Sequence, residues 1–352
     1  ASADWALAAG RWAPRLHGLD IRRELDVLER LGGSLVIPSD PWWPTGLNDL
    51  ERPPHCLWVR GDPALLVARR DAAVPEHLPR AREDLVPTGV GAGYALSLVG
   101  ARAATEYGEH VAAEMAGQLA ECGVVIVSGG AFGIDIAAHR AAMRTGVTVS
   151  VSAGGVDRLY PAGNAELLQE VVATGALVAE VPPGCQPGRH RFLTRNRLIA
   201  AMSEGTVVVE AAWRSGALAT ARHALDLGRP LGAVPGPVTS MESVGCHRLL
   251  RQGATCVTDA SEALELIMPV GTTDPDAAKA ADPAHAGSGL LDGLDGSAAA
   301  VLDALPARAA AGVESIVRAA GLTEEETIAA LGLLELSGKV ERQGAAWRRA
   351  RG

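Results

Sequence analysis

Only two lysines occur in this chain, Lys279 and Lys339, beside thirty arginines, and aromatic residues make up just 3% of it. The lysine shortage fits a GC-rich coding bias and weakens lysine-dependent motifs as a guide. No GxxxxGK[ST] loop is present, so a P-loop ATPase is unsupported. The five cysteines, Cys56, Cys122, Cys185, Cys246 and Cys256, form no CxxC pair, so neither a disulfide framework nor a zinc site is indicated. No apolar run reaches about 18 residues and no signal peptide is recognised, so no membrane partner and a cytoplasmic location are expected. There is no GxGxxG turn, no acidic residue placed to follow one, no GxSxG elbow and no Ser–His–Asp order. No catalytic nucleophile, metal or cofactor is therefore expected. The net charge of -9 argues against coating nucleic acid by bulk electrostatics, but permits a local basic groove.

What remains is an ordinary globular composition, 48% hydrophobic and 21% charged over 352 residues, enough for two or three domains. Residues 1–69 read as a helix, Ile21 to Leu31, followed by Pro-rich extended segments. Residues 70–93 read as a flexible insertion. From 94 to 268, short apolar runs alternate with helical patterns. The strands are Ala95–Val99, Val124–Val127, Val147–Val151, Ala176–Ala179, Thr206–Val209 and Pro230–Val234. Helices such as Glu109–Glu121, Ile134–Arg144 and Leu218–Leu227 lie between them. This alternation predicts an α/β fold with a Rossmann-like, doubly wound and mostly parallel sheet, whose ligands bind at the strand carboxyl ends. Residues 269–296 read as a linker. Residues 297–352, with helices Ala298–Leu305, Val313–Ala320 and Thr323–Ser337 and the extended tail Lys339–Arg348, suggest a small winged helix.

Four loops at those carboxyl ends, and one further helix mouth, hold the candidate chemistry. Gly100-Ala101-Arg102 joins a permissive backbone to a forked phosphate donor. Ser128-Gly129-Gly130 offers N–H groups at a helix mouth, with Gly133 just ahead of that helix. Asp135 reads as a cap and His139 as a residue packed on the sheet. The loop containing Arg158, Tyr160 and Asn164 suits a binding edge. Tyr160 and Phe192 either stack a base or fill gaps in an aromatic-poor core, and spacing leaves both open. Gly188-Arg-His-Arg-Phe-Leu-Thr-Arg-Asn-Arg197 carries four arginines and no acid. It is expected to lead into a helix at Leu198–Met202, with Arg195, Asn196 and Arg197 at the helix start. Ser215, Gly216 and Thr220 mark another helix mouth.

Together these stretches resemble the DNA-processing protein A (DprA, also called Smf) family. The matching landmarks are Gly100-Ala101-Arg102, the run from Ser128 to Asp135 ending in His139, Gly155 to Asn164, Arg195-Asn196-Arg197, Glu210 to Ala221, Val234-Pro235-Gly236 and Gly253-Ala254. The resemblance implies a single-stranded DNA binder that helps load RecA recombinase during transformation or recombination and dimerises through its sheet domain. It implies that Arg102, Arg195 and Arg197 meet phosphates and that Ser128, Gly129 and Gly130 add backbone donors. Two departures stand out. Ala101 replaces the turn serine, and Ala162 and Ala165 stand where family lysines are common. Arg158, Arg189 or Arg191 would then supply the missing charge.

The terminal unit carries seven acids against seven basic residues, with Glu324-Glu325-Glu326 at the start of its third helix. That predicts a protein contact or weak DNA contact, through Arg348, Arg349 and Arg351, over strong duplex reading. The alternative function is a nucleotide-binding or nucleotide-hydrolysing enzyme, similar to the phosphoribohydrolases. Their Pro-Gly-Gly-x-Gly-Thr loop is replaced here by Glu210-Ala-Ala-Trp-Arg-Ser-Gly216. A nucleotide-sensing module is a third reading.

Overall fold

The computed structural model describes residues 10, 20–67, 92–268, 296–306, 310–344 and 346–350. Most of the expected insertion at 70–93, and the linker up to residue 295, lie outside the described residues. The chain divides into two compact units, Ala1–Pro275 and Asp276–Gly352.

The first unit is built on a nine-stranded sheet. Its strands are β1 (Gly33–Val36), β2 (Leu57–Gly61), β3 (Ala95–Val99), β4 (Val125–Ser128), β5 (Thr148–Ser152), β6 (Ala176–Ala179), β7 (Gly205–Val208), β8 (Leu231–Ala233) and β9 (Thr255–Cys256). Their order is β1-β2-β6-β5-β4-β3-β7-β8-β9. From β6 to β9 every pairing is parallel. β1 and β2, preceded by helix α1 (Ile21–Arg30), extend this sheet through an antiparallel pairing of β2 with β6. The Pro-rich N-terminal segment is thus continuous with the sheet.

Strand alternation explains why the sheet is covered on both faces. Ala95, Val99, Val125 and Val127 enter one core, which also takes in Trp42, Trp43, Leu198 and Ile199. Their neighbours Leu96, Leu98, Val124 and Ile126 enter the other, with Ala112, Ala116, Ala138 and Ala142. With period-two side chains, an unbroken apolar run must bury both faces. The alanines come from helices α2 (Glu106–Glu121) and α3 (Ile134–Thr145), which pack together on that second face.

β3 feeds β4 on one side, whereas β7 pairs on its other side and feeds β8. The strand order therefore reverses between β3 and β7, and their carboxyl ends diverge into a crevice. The helix expected at 198–202 starts much earlier, so that Arg189–Ala201 forms one helix, α4. Its first two turns are too polar to show an apolar period, and its packing on the sheet comes from Leu198, Ile199, Ala200 and Ala201. β9 escaped the sequence because its two residues are both exposed and carry no alternation.

In the second unit, helices Gly296–Ala304, Val313–Ala320 and Glu324–Leu336 enclose Val301, Leu302, Ile316, Leu331 and Leu334. A three-stranded antiparallel sheet, Ala311–Gly312, Ala346–Arg349 and Val340–Gln343 in spatial order, completes a winged helix.

Candidate nucleic-acid interface

The crevice at the β3/β7 reversal is a cleft of about 720 Å³. Its lining includes Gly100, Ala101 and Arg102 after β3, Tyr160 after β5, Arg189, Phe192, Arg195 and Asn196 on α4, and Arg214, Ser215, Gly216 and Thr220 after β7. Arg102, Arg189 and Arg214 are exposed and have no carboxylate partner among the described residues. The Arg102 guanidinium lies 4.9 Å from the Phe192 ring centre, and the rings of Tyr160 and Phe192 are 5.8 Å apart. Tyr160 is 49% exposed, which decides the question left open by spacing: it does not fill the core. Cations beside partly exposed aromatic rings can hold both the backbone and the bases of a single strand.

Beneath this surface the Ser128-Gly129-Gly130 turn is already occupied. Asp135 in the first turn of α3 accepts from the Ala131 N–H at 3.3 Å, and the N–H groups of Gly129 and Gly100 also favour its charged form. The helix dipole and turn donors that suit a phosphate are therefore directed at a carboxylate of the chain itself. Ser128 is fully buried and donates to the Leu98 carbonyl at 2.6 Å. Gly130 adopts φ 69°, and its carbonyl accepts from Asn164 Nδ2 at 3.1 Å. None of these three turn residues lines the cleft. Gly133, at φ 72°, lets α3 approach the neighbouring turn, where Ile134 N–H donates to the Ala101 carbonyl at 3.2 Å. The Arg102 turn is thereby fixed to the start of α3.

Arg195 is also turned inward. It is 5% exposed, and its guanidinium donates to the carbonyls of Gly129 and Val151. Burial, opposed by Asp135 and aided by Arg102, brings its pKa down to about 10. Burial raises the Asp135 pKa against the pull of Arg195 and the three N–H donors. His139 is fully buried, its Nδ1 2.7 Å from Thr148 Oγ1. Thr148 Oγ1 gives its own proton to the Ile126 carbonyl, so Nδ1 carries the histidine proton. Burial and Arg195 hold the His139 pKa near a value of about 3.

The other expected cations are engaged elsewhere. Arg197 pairs with Glu180 at 2.5 Å. Arg158 pairs with Asp157 at 3.6 Å, and Arg191 donates to the Gln186 carbonyl at 2.6 Å. None of the three lines the cleft. Asn196 and Thr220 are buried, and Asn196 Nδ2 donates to the Gly216 carbonyl at 3.3 Å. Ser215 Oγ accepts from Ala217 N–H, at the start of the helix Ala217–Asp226. Sequence reasoning passed over Arg214, although it lies in the Glu210–Gly216 stretch. It also passed over Phe132, which is 48% exposed. Glu210 is buried, accepting from Thr105 N–H at 2.9 Å and Thr105 Oγ1 at 2.6 Å. In the second unit, Arg348 pairs with Glu341 and Arg349 donates to the Leu305 carbonyl, while Arg351 lies outside the described residues. Among the described residues no helix is long and apolar enough to cross a membrane.

A doubly wound sheet with exposed arginines, exposed Tyr160 and half-buried Phe192 at its strand reversal defines a Rossmann-like protein with a basic cleft. The chain belongs to the DNA recombination-mediator protein A family, whose family model matches residues 90–268. A second model, the DprA winged helix domain, matches residues 277–345. A Mycobacterium tuberculosis protein named for DNA processing protein DprA is 48% identical over 260 residues, covering 70% of this chain and 61% of its own length. Protein Smf of Escherichia coli is 44% identical over 174 residues, 49% of this chain and 46% of that protein. The chain thus spans between about half and three-fifths of the length of these two relatives. Among solved structures, DNA processing protein A from Streptococcus pneumoniae matches with a TM-score of 0.61 at 29% identity, over 73% of this chain and 82% of that one. The Helicobacter pylori protein, solved for its single-stranded DNA binding mode, matches with a TM-score of 0.54 at 28% identity, over 66% of this chain and 94% of that one.

Proposed function

We propose that this chain is a non-catalytic recombination mediator that holds single-stranded DNA in the β3/β7 cleft. The observation that carries this reading is the set of three exposed arginines without a carboxylate partner, Arg102, Arg189 and Arg214, in the cleft that also holds the adjoining rings of Tyr160 and Phe192. Arginines placed for phosphates and rings placed for bases suit a strand whose sequence is not read. The single-stranded DNA binding mode of the Helicobacter pylori relative supports the same ligand. Arg102 and Arg189 contact phosphates, with Arg214 beyond them, while Ser128 to Gly130, Asp135, Asn164 and Arg195 form the frame beneath. RecA recombinase and a second copy of the chain are the protein partners, and the cytoplasm is the compartment. The replacement of the Pro-Gly-Gly-x-Gly-Thr loop by Glu210-Ala-Ala-Trp-Arg-Ser-Gly216 weighs against a phosphoribohydrolase-like reaction.

The test is a competition titration of the protein with a labelled dT oligomer against nucleoside monophosphates. The oligomer is expected to bind and the monophosphates to displace it only weakly. Tight monophosphate binding, or release of the base, would favour the enzyme reading.

A further inference from the structure

We propose that Phe132 is a second stacking station on the DNA track, taking up a base beyond the one held at Phe192. This rests on the single-stranded DNA reading of the cleft. The chain has only two phenylalanines and three tyrosines. An isolated aromatic residue in such a composition normally fills the core, because the ring contributes most where water is excluded. Phe132 is instead 48% exposed, directly after the Ser128–Ala131 turn.

Its position is set by the backbone on both sides. Gly133, at φ 72°, fixes the chain just after the ring. The ring edge rests on Gly163: a Cβ built there would meet Phe132 Cζ at 3.0 Å and Cε1 at 3.1 Å. A side chain at residue 163 would have to push the ring aside, so the glycine supports the exposed ring from below. Gly163 is three residues from Tyr160 on the same loop, and three residues span at most about 10 Å of extended chain. Tyr160 in turn lies 5.8 Å from Phe192. Half-buried Phe192, exposed Tyr160 and exposed Phe132 are therefore neighbours beside Ala131, which lines the cleft wall. Beyond Gly163 the surface opens into a groove where Arg140 and Arg144 face Glu166 and Glu170. That balanced charge no longer attracts phosphates, so Phe132 is the last station of the track.

The test uses the full chain and dT oligomers carrying one abasic position, moved along the strand. Phe132→Ala is expected to weaken dT binding about five- to a hundredfold. Its salt dependence should match the unaltered chain, since no phosphate contact is lost. In the unaltered chain one abasic position should weaken binding through the loss of this stack. In Phe132→Ala that same position should become silent, and Phe132→Trp should restore its effect. Thermal unfolding of each variant checks that the fold is intact. The proposal is overturned if Phe132→Ala binds like the unaltered chain, or if it weakens binding without silencing any abasic position. If the unaltered chain and Arg102→Ala both fail to bind dT, the DNA reading itself falls. If only Arg102→Ala loses affinity, that reading stands and the Phe132 station does not.

Discussion

Two arginines of the cleft separate binding from framework at the scale of a single residue. Arg102 is exposed and unpaired, so Arg102→Ala should change stability by no more than about 0.5 kcal/mol while weakening DNA binding. Arg195 holds two buried carbonyls and faces buried Asp135. Arg195→Ala should therefore cost about 3 kcal/mol in a denaturant titration, because it leaves a buried carboxylate and two acceptors without their cation. Equal stability losses in the two variants would contradict this division. His139 adds a pH dependence of known sign. Its folded pKa of about 3 lies below the ordinary histidine value, so the unfolded chain binds the extra proton between those two values. Its contribution is complete above about pH 6.5 and is lost as pH falls, by about 1.4 kcal/mol per unit at the steepest. His139→Leu should flatten the fall in unfolding free energy between pH 6 and 4 that remains once the carboxylates are accounted for; an unchanged slope would show that histidine is protonated in the fold.

At the scale of elements, the Ser128–Gly130 turn is a joint between strands and a helix. Its donors close on Asp135, and Gly130 stands at φ 69° with Leu168 and Ser150 each 2.9 Å from where a Cβ would sit. Gly130→Ala should destabilise by about 1–3 kcal/mol, read from the shift in the unfolding midpoint. The parallel sheet was legible from sequence because buried strands announce themselves as apolar runs between glycines. The strand Ala95–Val99 and the helix Val313–Ala320 fell where the pattern put them. The helix Arg189–Ala201 did not, since seven polar residues in its first nine positions hide its period. The candidate site was legible as a set of loops, but not as a division of labour among them. Nothing in the spacing of Arg189, Arg191, Arg195 and Arg197 says that the first faces solvent, the second and fourth are bonded elsewhere, and the third is buried. That sorting comes from the 100° advance of each residue around the helix, fixed by the sheet on which it packs.

At the scale of the whole molecule, a chain of net charge -9 still places three exposed arginines, Arg102, Arg189 and Arg214, in one cleft. The winged helix offers little of the same kind. Its third helix opens on Glu324, Glu325 and Glu326 with a Thr323 capping box, and the strand arginines Arg348 and Arg349 are engaged within the unit. Removing residues 276–352 should accordingly leave dT affinity unchanged within titration error. A loss beyond about tenfold, or 1.4 kcal/mol, would put DNA contacts in that unit. The most direct measurement for the cleft itself is dT affinity over a salt series, for the unaltered chain and for the double variant Arg102→Ala with Arg189→Ala. Affinity should fall as salt rises, with a log–log slope of about -0.7 per phosphate contacted, and the double variant should be shallower by about 1.4. Identical slopes in the two proteins, or affinity indifferent to salt, would contradict a cleft that holds DNA by its phosphates.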